Sequence, residues 1–303
     1  CRGVGPSTRF KWIPNRGDFD SRPEASRQDP WCSWDLQRWR RGFGTRPESH
    51  GLMLGDAKEG WCHLSHVPLR AEASDRAECV NEVLAGESVQ LVQRGTGHWV
   101  KVQLPDGYEG WMDDRQLHPV TNLWTGHPVR LAAPSSAWDG VPGGVLPAGA
   151  VVRLDGDAWK MGEWTVAPLG HEPTKHQGSM LDVAESMKGV PYHWGGRSSW
   201  GLDCSGLVQL AAMLTGRLVP RDASQQAEVG VEVHSNGLQD NDVAFFANAM
   251  GAITHVGICR ADGAVIHASG EVREDQLDGT SLVRHEDGKA SHQLALIRRW
   301  TSV

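Results

Sequence analysis

The chain has no stretch that stays apolar for the roughly 18 residues a membrane-spanning helix needs. Its most apolar run, Gly206 to Val219, is broken by Gln209, Thr215 and Arg217, so no transmembrane segment is expected. Excess positive charge is also missing. Thirty basic against 37 acidic side chains give a net charge of −7, which removes electrostatic support for phosphate-driven binding, and no nucleic-acid partner is expected. The six cysteines, at positions 1, 32, 62, 79, 204 and 259, include no CxxC pair and no close Cys/His ligand spacing. A structural zinc site is therefore not expected, and neither is a disulfide framework of the kind found in short secreted chains. Tyrosine is scarce, with 2 residues against 14 Trp. An initiator Met is absent too: the chain opens on Cys1, as a processed product or a fragment would, and Cys1 could be the lipid-bearing residue of a mature lipoprotein.

What is present is length and loop chemistry. Against about 100–200 residues per domain, 303 residues predict two or three compact units, and 36 Gly with 16 Pro favour short strands over long helices. Residues 1–60 carry nine Arg, two Lys, eight acidic residues and four Trp without a strand or helix period. They read as a disordered or poorly packed extension, with docking of the Trp residues on a neighbouring domain as the other reading. Over 61–120 the texture changes to alternating runs. Val100, Val102 and Leu104 share one face, and Pro105-Asp106-Gly107 supplies the turn to Tyr108–Met112, so the two runs pair as a hairpin. Residues 121–175 repeat the idea: Ala85-Gly86-x-Ser88-Val89-x-Leu91 is echoed by Ala148-Gly149-x-Val151-Val152-x-Leu154, each followed by a Trp-led strand at Trp99 and Trp164. Two tandem small β-barrels follow, since a lone hairpin cannot bury its apolar face.

The last third, residues 179–303, turns helical before returning to strands. Ser179 can cap a helix through Leu181, Ala184 and Met187, ended by Gly189 and Pro191. A second helix follows Asp203, with Leu207, Val208, Ala211 and Leu214 forming one buried stripe and Gly216 stopping it. Cys204 thus sits in the first turn of a helix, where unpaired N–H groups and the dipole favour an anion. That predicts a thiol pKa lowered from about 8.5 toward neutrality, a thiolate, and N–H groups aimed at a developing oxyanion. A lone Cys is more often a small core hydrophobe; the base that overturns this lies downstream. Ile253–Cys259 and Ala264–Ser269 flank Arg260-Ala261-Asp262-Gly263, a hairpin signal that brings His255 and His267 within about one register step. One imidazole can take the thiol proton while the other fixes its tautomer.

Five motifs here, Tyr192-His193-Trp194-Gly195-Gly196, Asp203-Cys204-Ser205-Gly206-Leu207-Val208, Pro220-Arg221 with Gln226, His255-Val256-Gly257-Ile258 and Ile266-His267-Ala268-Ser269, resemble in order and spacing those of the NlpC/P60 cysteine peptidases. Residues 61–120, and more loosely 121–175, resemble bacterial SH3-like modules. The resemblance implies an α+β architecture, a papain-like catalytic domain preceded by small SH3-like β-barrels. It implies Cys204 as nucleophile, His255 as general base and acid, His267 as orienting residue, and Tyr192 lining the site and assisting the oxyanion. One departure is Asn241-Asp242 where the family commonly has Gly-Asp; Asn tolerates left-handed backbone, so the turn survives.

The implied reaction is hydrolysis of the γ-D-glutamyl-L-diamino acid bond of peptidoglycan stem peptides or muropeptides, without cofactor or metal. Members with SH3-like modules often recognise a free N-terminal L-Ala. Asp203, with Ser205 beside it, is the first candidate for the carboxylate meeting that ammonium, helix capping being the equal alternative; Glu78 and Tyr108 are candidates for the opposite wall. The expected protein is a bacterial monomer, periplasmic or secreted rather than cytoplasmic. Rival readings are a papain-like amidase or acyltransferase, and a non-catalytic wall-binding module.

Overall fold

The computed structural model describes residues 54–121, 124–170, 172–173 and 176–300. The extension read over 1–60 lies outside the described residues up to position 53, as do Cys1 and Cys32. From Leu54, a buried residue of the first β-unit's core, the chain is already folded into that unit, and the strand Glu59–Cys62 opens its sheet.

That first sheet has seven antiparallel strands, in the order Cys79–Leu84, His66–Arg70, Glu109–Asp113, Trp99–Gln103, Ser88–Arg94, Glu59–Cys62 and Leu117–Pro119. The hairpin expected around Pro105-Asp106-Gly107 is present, Val102 pairing with Gly110, and Val100, Val102 and Leu104 point into the core. A second, six-stranded sheet runs from His127 to Pro168. The two cores are not independent. Trp61 leaves the first sheet to pack in the second core, its ring centroid 5.1 Å from that of Trp164 and 6.1 Å from that of Trp124. A side chain at Gly162 would lie 2.2 Å from the Trp61 ring.

The last part carries two main helices on a sheet. Met180–Ser186 begins with a capping box, Ser179 and Asp182 satisfying each other's backbone N–H. Cys204–Leu214 begins at the Asp203 cap. Every residue of this second helix is buried, whereas its periodicity suggests a single buried stripe. The polar side is covered from outside the domain: Gln209 Nε2 donates to Asp106 Oδ2 of the first unit at 2.7 Å and to the Val219 carbonyl at 3.1 Å. The strands Val243–Ala247, Ile253–Cys259, Ala264–Ser269, Glu271–Leu277, Ser281–Val283 and Ala290–Arg299 pair in sequence order and close into a ring, because Ser281–Val283 also pairs with Ala290–Arg299. One face, with Val256, Ile258 and Ile266, packs under the helices; the other holds Phe246, Cys259, Val265 and Leu282. Alternation along the strands puts His255 and His267 on this second face. Asn241 adopts φ 73°, the positive-φ conformation read from its sequence position, and its Oδ1 accepts from the Leu181 N–H at 2.8 Å.

An ion triad, with Glu87 and Arg197 buried and Arg130 partly exposed, links the three parts. Glu87 of the first unit accepts from Arg197, which precedes the second helix, and from Arg130 of the second unit at 2.8 Å. Burial alone would raise the Glu87 pKa, but Arg197, Arg130 and the Leu84 N–H outweigh it and hold the carboxyl below its ordinary value. Since the folded pKa is the depressed one, this contribution to stability is complete above the unfolded value of about 4.3 and fades as pH falls through the folded one. Glu87→Ala leaves two guanidinium groups without their partner and is expected to cost about 3–5 kcal/mol. Chemical denaturation at pH 7 measures it; a loss below about 1 kcal/mol would show that the triad does not hold the parts together.

Candidate active site

The start of the second helix is fixed by one saturated carboxylate. Asp203 Oδ1 accepts from the Gly206 N–H at 2.7 Å, closing the cap, and from Arg221 Nη1 at 3.0 Å. Its Oδ2 accepts from the Gly195 N–H at 2.9 Å and Arg221 Nη2 at 2.5 Å. Ser205 Oγ lies 3.3 Å from Oδ1 and accepts from Arg221 Nη1 at 2.8 Å. Arg221 is 2% exposed and also reaches Asn81 Oδ1 of the first unit at 3.1 Å. Of the two roles open to Asp203, the structure displays the cap, and the Ser205 hydroxyl is engaged with the same pair. Gly206 permits the close approach: a Cβ there would lie 2.1 Å from the Gly196 carbonyl oxygen.

Cys204 follows the cap, 9% exposed. The backbone N–H groups of Val256 and Ser205 are directed at its sulfur, which places Sγ against the strand that carries His255. Burial, reinforced by the Asp203 charge, pushes the thiol up to about 11 against the pull of those N–H groups and Arg221. This reverses the lowered value expected from the helix start. A dipole end contributes at most about 2 kcal/mol in favourable sites, and loss of hydration at this depth outweighs it. His255 is shifted the opposite way, down to about 2, by burial and then by the neighbouring imidazoles His267 and His292. Burial thus favours the uncharged form of each group taken by itself.

The two histidines meet as the hairpin required. His255 Nε2 lies 2.8 Å from His267 Nδ1 with the rings edge to face. The register is diagonal, since Gly257 rather than His255 stands opposite His267. A Cβ at Gly257 would come within 2.9 Å of the His267 Cβ, so glycine opens the space through which the rings reach one another. Behind them, His267 Nε2 lies 3.1 Å from Asp275 Oδ2. The His292 ring stacks on His255 at 4.1 Å and 16°.

On the other side of Cys204, Tyr192 is half-buried. Burial, then the proximity of Cys204 and Asp203, pushes its hydroxyl up to about 12, so it stays a proton donor. The first unit also reaches this region. Glu78 Oε1 accepts from the indole of the exposed Trp194 at 2.6 Å. The Tyr108 hydroxyl is pushed up to about 12 by burial and by Asp222, Asp203 and Glu78, with Arg221 opposing. Asp222 itself is raised, first by burial and then, against Arg221, by Asp203 and Asp106. Three carboxylates, Asp222, Asp203 and Glu78, thus act on one phenol.

Of the eight sequence candidates, His255 and His267 are in contact. Cys204 lies near Tyr192 and beside Asp203 and Ser205, and Tyr108 and Glu78 of the first unit come near Asp203 and Trp194. The Val256 N–H, next to His255, is directed at the Cys204 sulfur. Sequence reading missed Asp222, Trp194, His292 and Asp275. Trp194 sits inside the Tyr192–Gly196 motif and Asp222 directly follows Pro220-Arg221, so both could have been found there; His292 and Asp275 carry no local signal, because pairing across the ring brings them in. Among the described residues, His98, Asp113 and Asp114 could converge on a cation. They lie on the first unit, where Arg115 already donates to both Asp113 oxygens at 2.9 and 2.5 Å and Arg94 sits 3.8 Å from Asp114.

Residues 189–288 match the NlpC/P60 family and residues 69–117 the bacterial dipeptidyl-peptidase Sh3 domain. The chain is 31% identical over 211 residues to the gamma-D-glutamyl-L-lysine dipeptidyl-peptidase of Bacillus subtilis (strain 168), covering 62% of this chain and 71% of that one. It is 26% identical to dipeptidyl-peptidase 6 of Lysinibacillus sphaericus over 255 residues, 72% of this chain and 92% of that one. A crystal structure of an NlpC/P60 family protein from Bacillus cereus superposes with a TM-score of 0.64 at 20% identity, over 80% of this chain and 99% of that one, which speaks for the fold. The sequence relationship, the matched segments and the Cys–His–His geometry together mean that this chain belongs to the NlpC/P60 family.

Proposed function

We propose that this protein is a cysteine peptidase that cuts the γ-D-glutamyl-L-diamino acid bond of peptidoglycan stem peptides beginning with a free L-Ala. The observation that carries the substrate end is the carboxylate crowd at Glu78, Asp203 and Asp222 around Tyr108. Arg221 is already saturated by Asp203, so an incoming ammonium relieves the remaining repulsion. Glu78 has accepting capacity beyond its bond to Trp194, whereas Asp203 is occupied by five donors. Glu78 is therefore the principal contact and Asp203 contributes its field from behind. A wall built by the first unit at this end limits the acyl side to a short piece, in keeping with relatives named dipeptidyl-peptidases. The protein meets this substrate as wall peptide, periplasmic or secreted; no described helix is long and apolar enough to cross a membrane.

In the reaction, the Cys204 thiol gives its proton to His255 as sulfur attacks the γ-carbonyl carbon. His255 Nε2 is engaged with His267, so Nδ1 is the nitrogen that takes the proton. The oxyanion faces the Cys204 N–H at the helix start and the Tyr192 hydroxyl. Collapse breaks the C–N bond, His255 returns the proton to the departing amine, and a thioester remains. Water, deprotonated by the same His255, then releases the L-Ala-γ-D-Glu product and the free thiol.

Cys204→Ala and His255→Ala are each expected to lower kcat at least about a thousandfold on L-Ala-γ-D-Glu-L-Lys or its diaminopimelate analogue, by mass-spectrometric product assay. Full turnover in Cys204→Ala would remove the nucleophile assignment. Acetylating the substrate amine, or Glu78→Gln, should cost about tenfold to a hundredfold in kcat/KM, as for a charge-assisted hydrogen bond; equal cleavage of free and acetylated peptide would refute the ammonium site. Because the thiol is raised, alkylation of the Cys204 peptide by iodoacetamide should be slow at pH 6 and climb into the alkaline range. A rate already at plateau by pH 6 contradicts the raised thiol.

A further inference from the structure

The contact between His255 and His267 has two possible polarities, and only one of them leaves a base. Each neutral imidazole carries one proton. If His255 Nε2–H donates to His267 Nδ1, the lone pair of His255 Nδ1 is available to the thiol. If His267 Nδ1–H donates instead, His255 must carry its proton on Nδ1 and can take none from sulfur. The distance of 2.8 Å is the same in both cases, so the pair itself does not choose.

A third group does choose. Asp275 is 1% exposed, on the strand Glu271–Leu277, and its Oδ2 lies 3.1 Å from His267 Nε2. Its Oδ1 accepts from Arg273 Nη2 at 2.9 Å and from the His285 N–H at 3.1 Å. Two donors on one oxygen fix the orientation of the carboxylate, and the guanidinium keeps it charged in a buried position. A carboxylate can only accept, so His267 must hold its proton on Nε2. Its Nδ1 is then an acceptor, which forces the proton of His255 onto Nε2.

We propose that Asp275 is a positioning residue that sets the direction of the imidazole relay, obliging His255 to present an unprotonated Nδ1 to Cys204. This rests on the assignment of Cys204 and His255 as nucleophile and base. The register supports it: Asp275 pairs with Val265 and Arg273 with His267, so the carboxylate and the guanidinium lie on the same face as the two rings. Arg273 orients Asp275 as Asp275 orients His267.

Asp275→Asn is the discriminating change because it keeps the size and reverses the polarity. Its amide oxygen would face Arg273 and the His285 N–H, turning the NH2 toward His267 Nε2 and the second, unproductive tautomer. Reversal of an imidazole by the same substitution costs about 10⁴ in kcat where the carboxylate touches the base directly. With one ring interposed, a fall of about 10²–10⁴ is expected, with KM on the stem peptide within about threefold of wild type. Nitrogen-15 NMR of the wild-type imidazoles should find both His255 and His267 protonated on Nε2, and Asp275→Asn should move the His267 proton to Nδ1. This readout needs no turnover. The inference is overturned by a wild-type His255 protonated on Nδ1, or by Asp275→Asn retaining kcat within about threefold. If that variant keeps its rate while Cys204→Ala is inactive, the relay alone is wrong. If Cys204→Ala also turns over, the peptidase reading has failed and the inference falls with it.

Discussion

The pairing of Asp203 with Arg221 is the constraint on which the site is built. A helix whose eleven residues are all buried has to start at one fixed place, and its N-terminal N–H groups have to be satisfied or aimed. Asp203 does this by capping Gly206 and holding the Gly195 N–H, so the loop before the helix and the first turn share one anchor. A carboxylate this deep would be costly alone; the bidentate guanidinium and the two N–H groups together fill its lone pairs. Arg221 extends the anchor to Asn81 in the first β-unit. The position of Cys204 is thereby set by groups from three distant stretches of chain. Replacing any one of them acts on the sulfur through the helix start rather than through the chemistry.

The preference of each reacting group for its uncharged form follows from the same burial. Burial disfavours the charged form of each group, with the Asp203 charge adding to that cost at the sulfur and Asp275, one ring removed, easing it only partly at His255. Each reacting group, taken by itself, thus rests uncharged, and charge separates only as the carbonyl is attacked, when the helix N-terminus meets the oxyanion. The helix start then acts on the transition state more than on the free thiol, which is the differential stabilisation that raises a rate.

Local signals in the sequence were legible because they are written in neighbouring residues. The Ser179 capping box, the Asp203 cap, the turn at Pro105-Asp106-Gly107, the positive-φ Asn241 and the Asp262-Gly263 hairpin that joins the two histidines all depend on a few adjacent positions. What was not legible depends on distant pairing. The amphipathic pattern of the second helix hid its complete burial because the covering group, Asp106, belongs to another unit. The thiol pKa was misread for a related reason: the dipole is visible in the sequence, whereas the depth of burial is a property of the assembled chain. Asp275 reaches His267 only through the register of a third strand, and nothing in Glu271–Leu277 distinguishes it from the other charges there.

The β-units add to the catalytic part something that its own motifs do not contain. Arg197 is pinned to Glu82 and Glu87, and Ser199 accepts from the Ala148 N–H at 2.9 Å, so both units grip the short segment between the Tyr192 motif and the helix. That grip accompanies the Glu78 contact with Trp194 and the approach of Tyr108 to Asp222. A papain-like groove left open there would accept a chain running through it. On the proposed function, Glu78, Tyr108 and Asp222 would close that end, and the substrate would be measured from its amino terminus. Choice of bond would then be a matter of length and charge set by the attached units, while the proposed cysteine and histidines would supply chemistry indifferent to where the peptide begins.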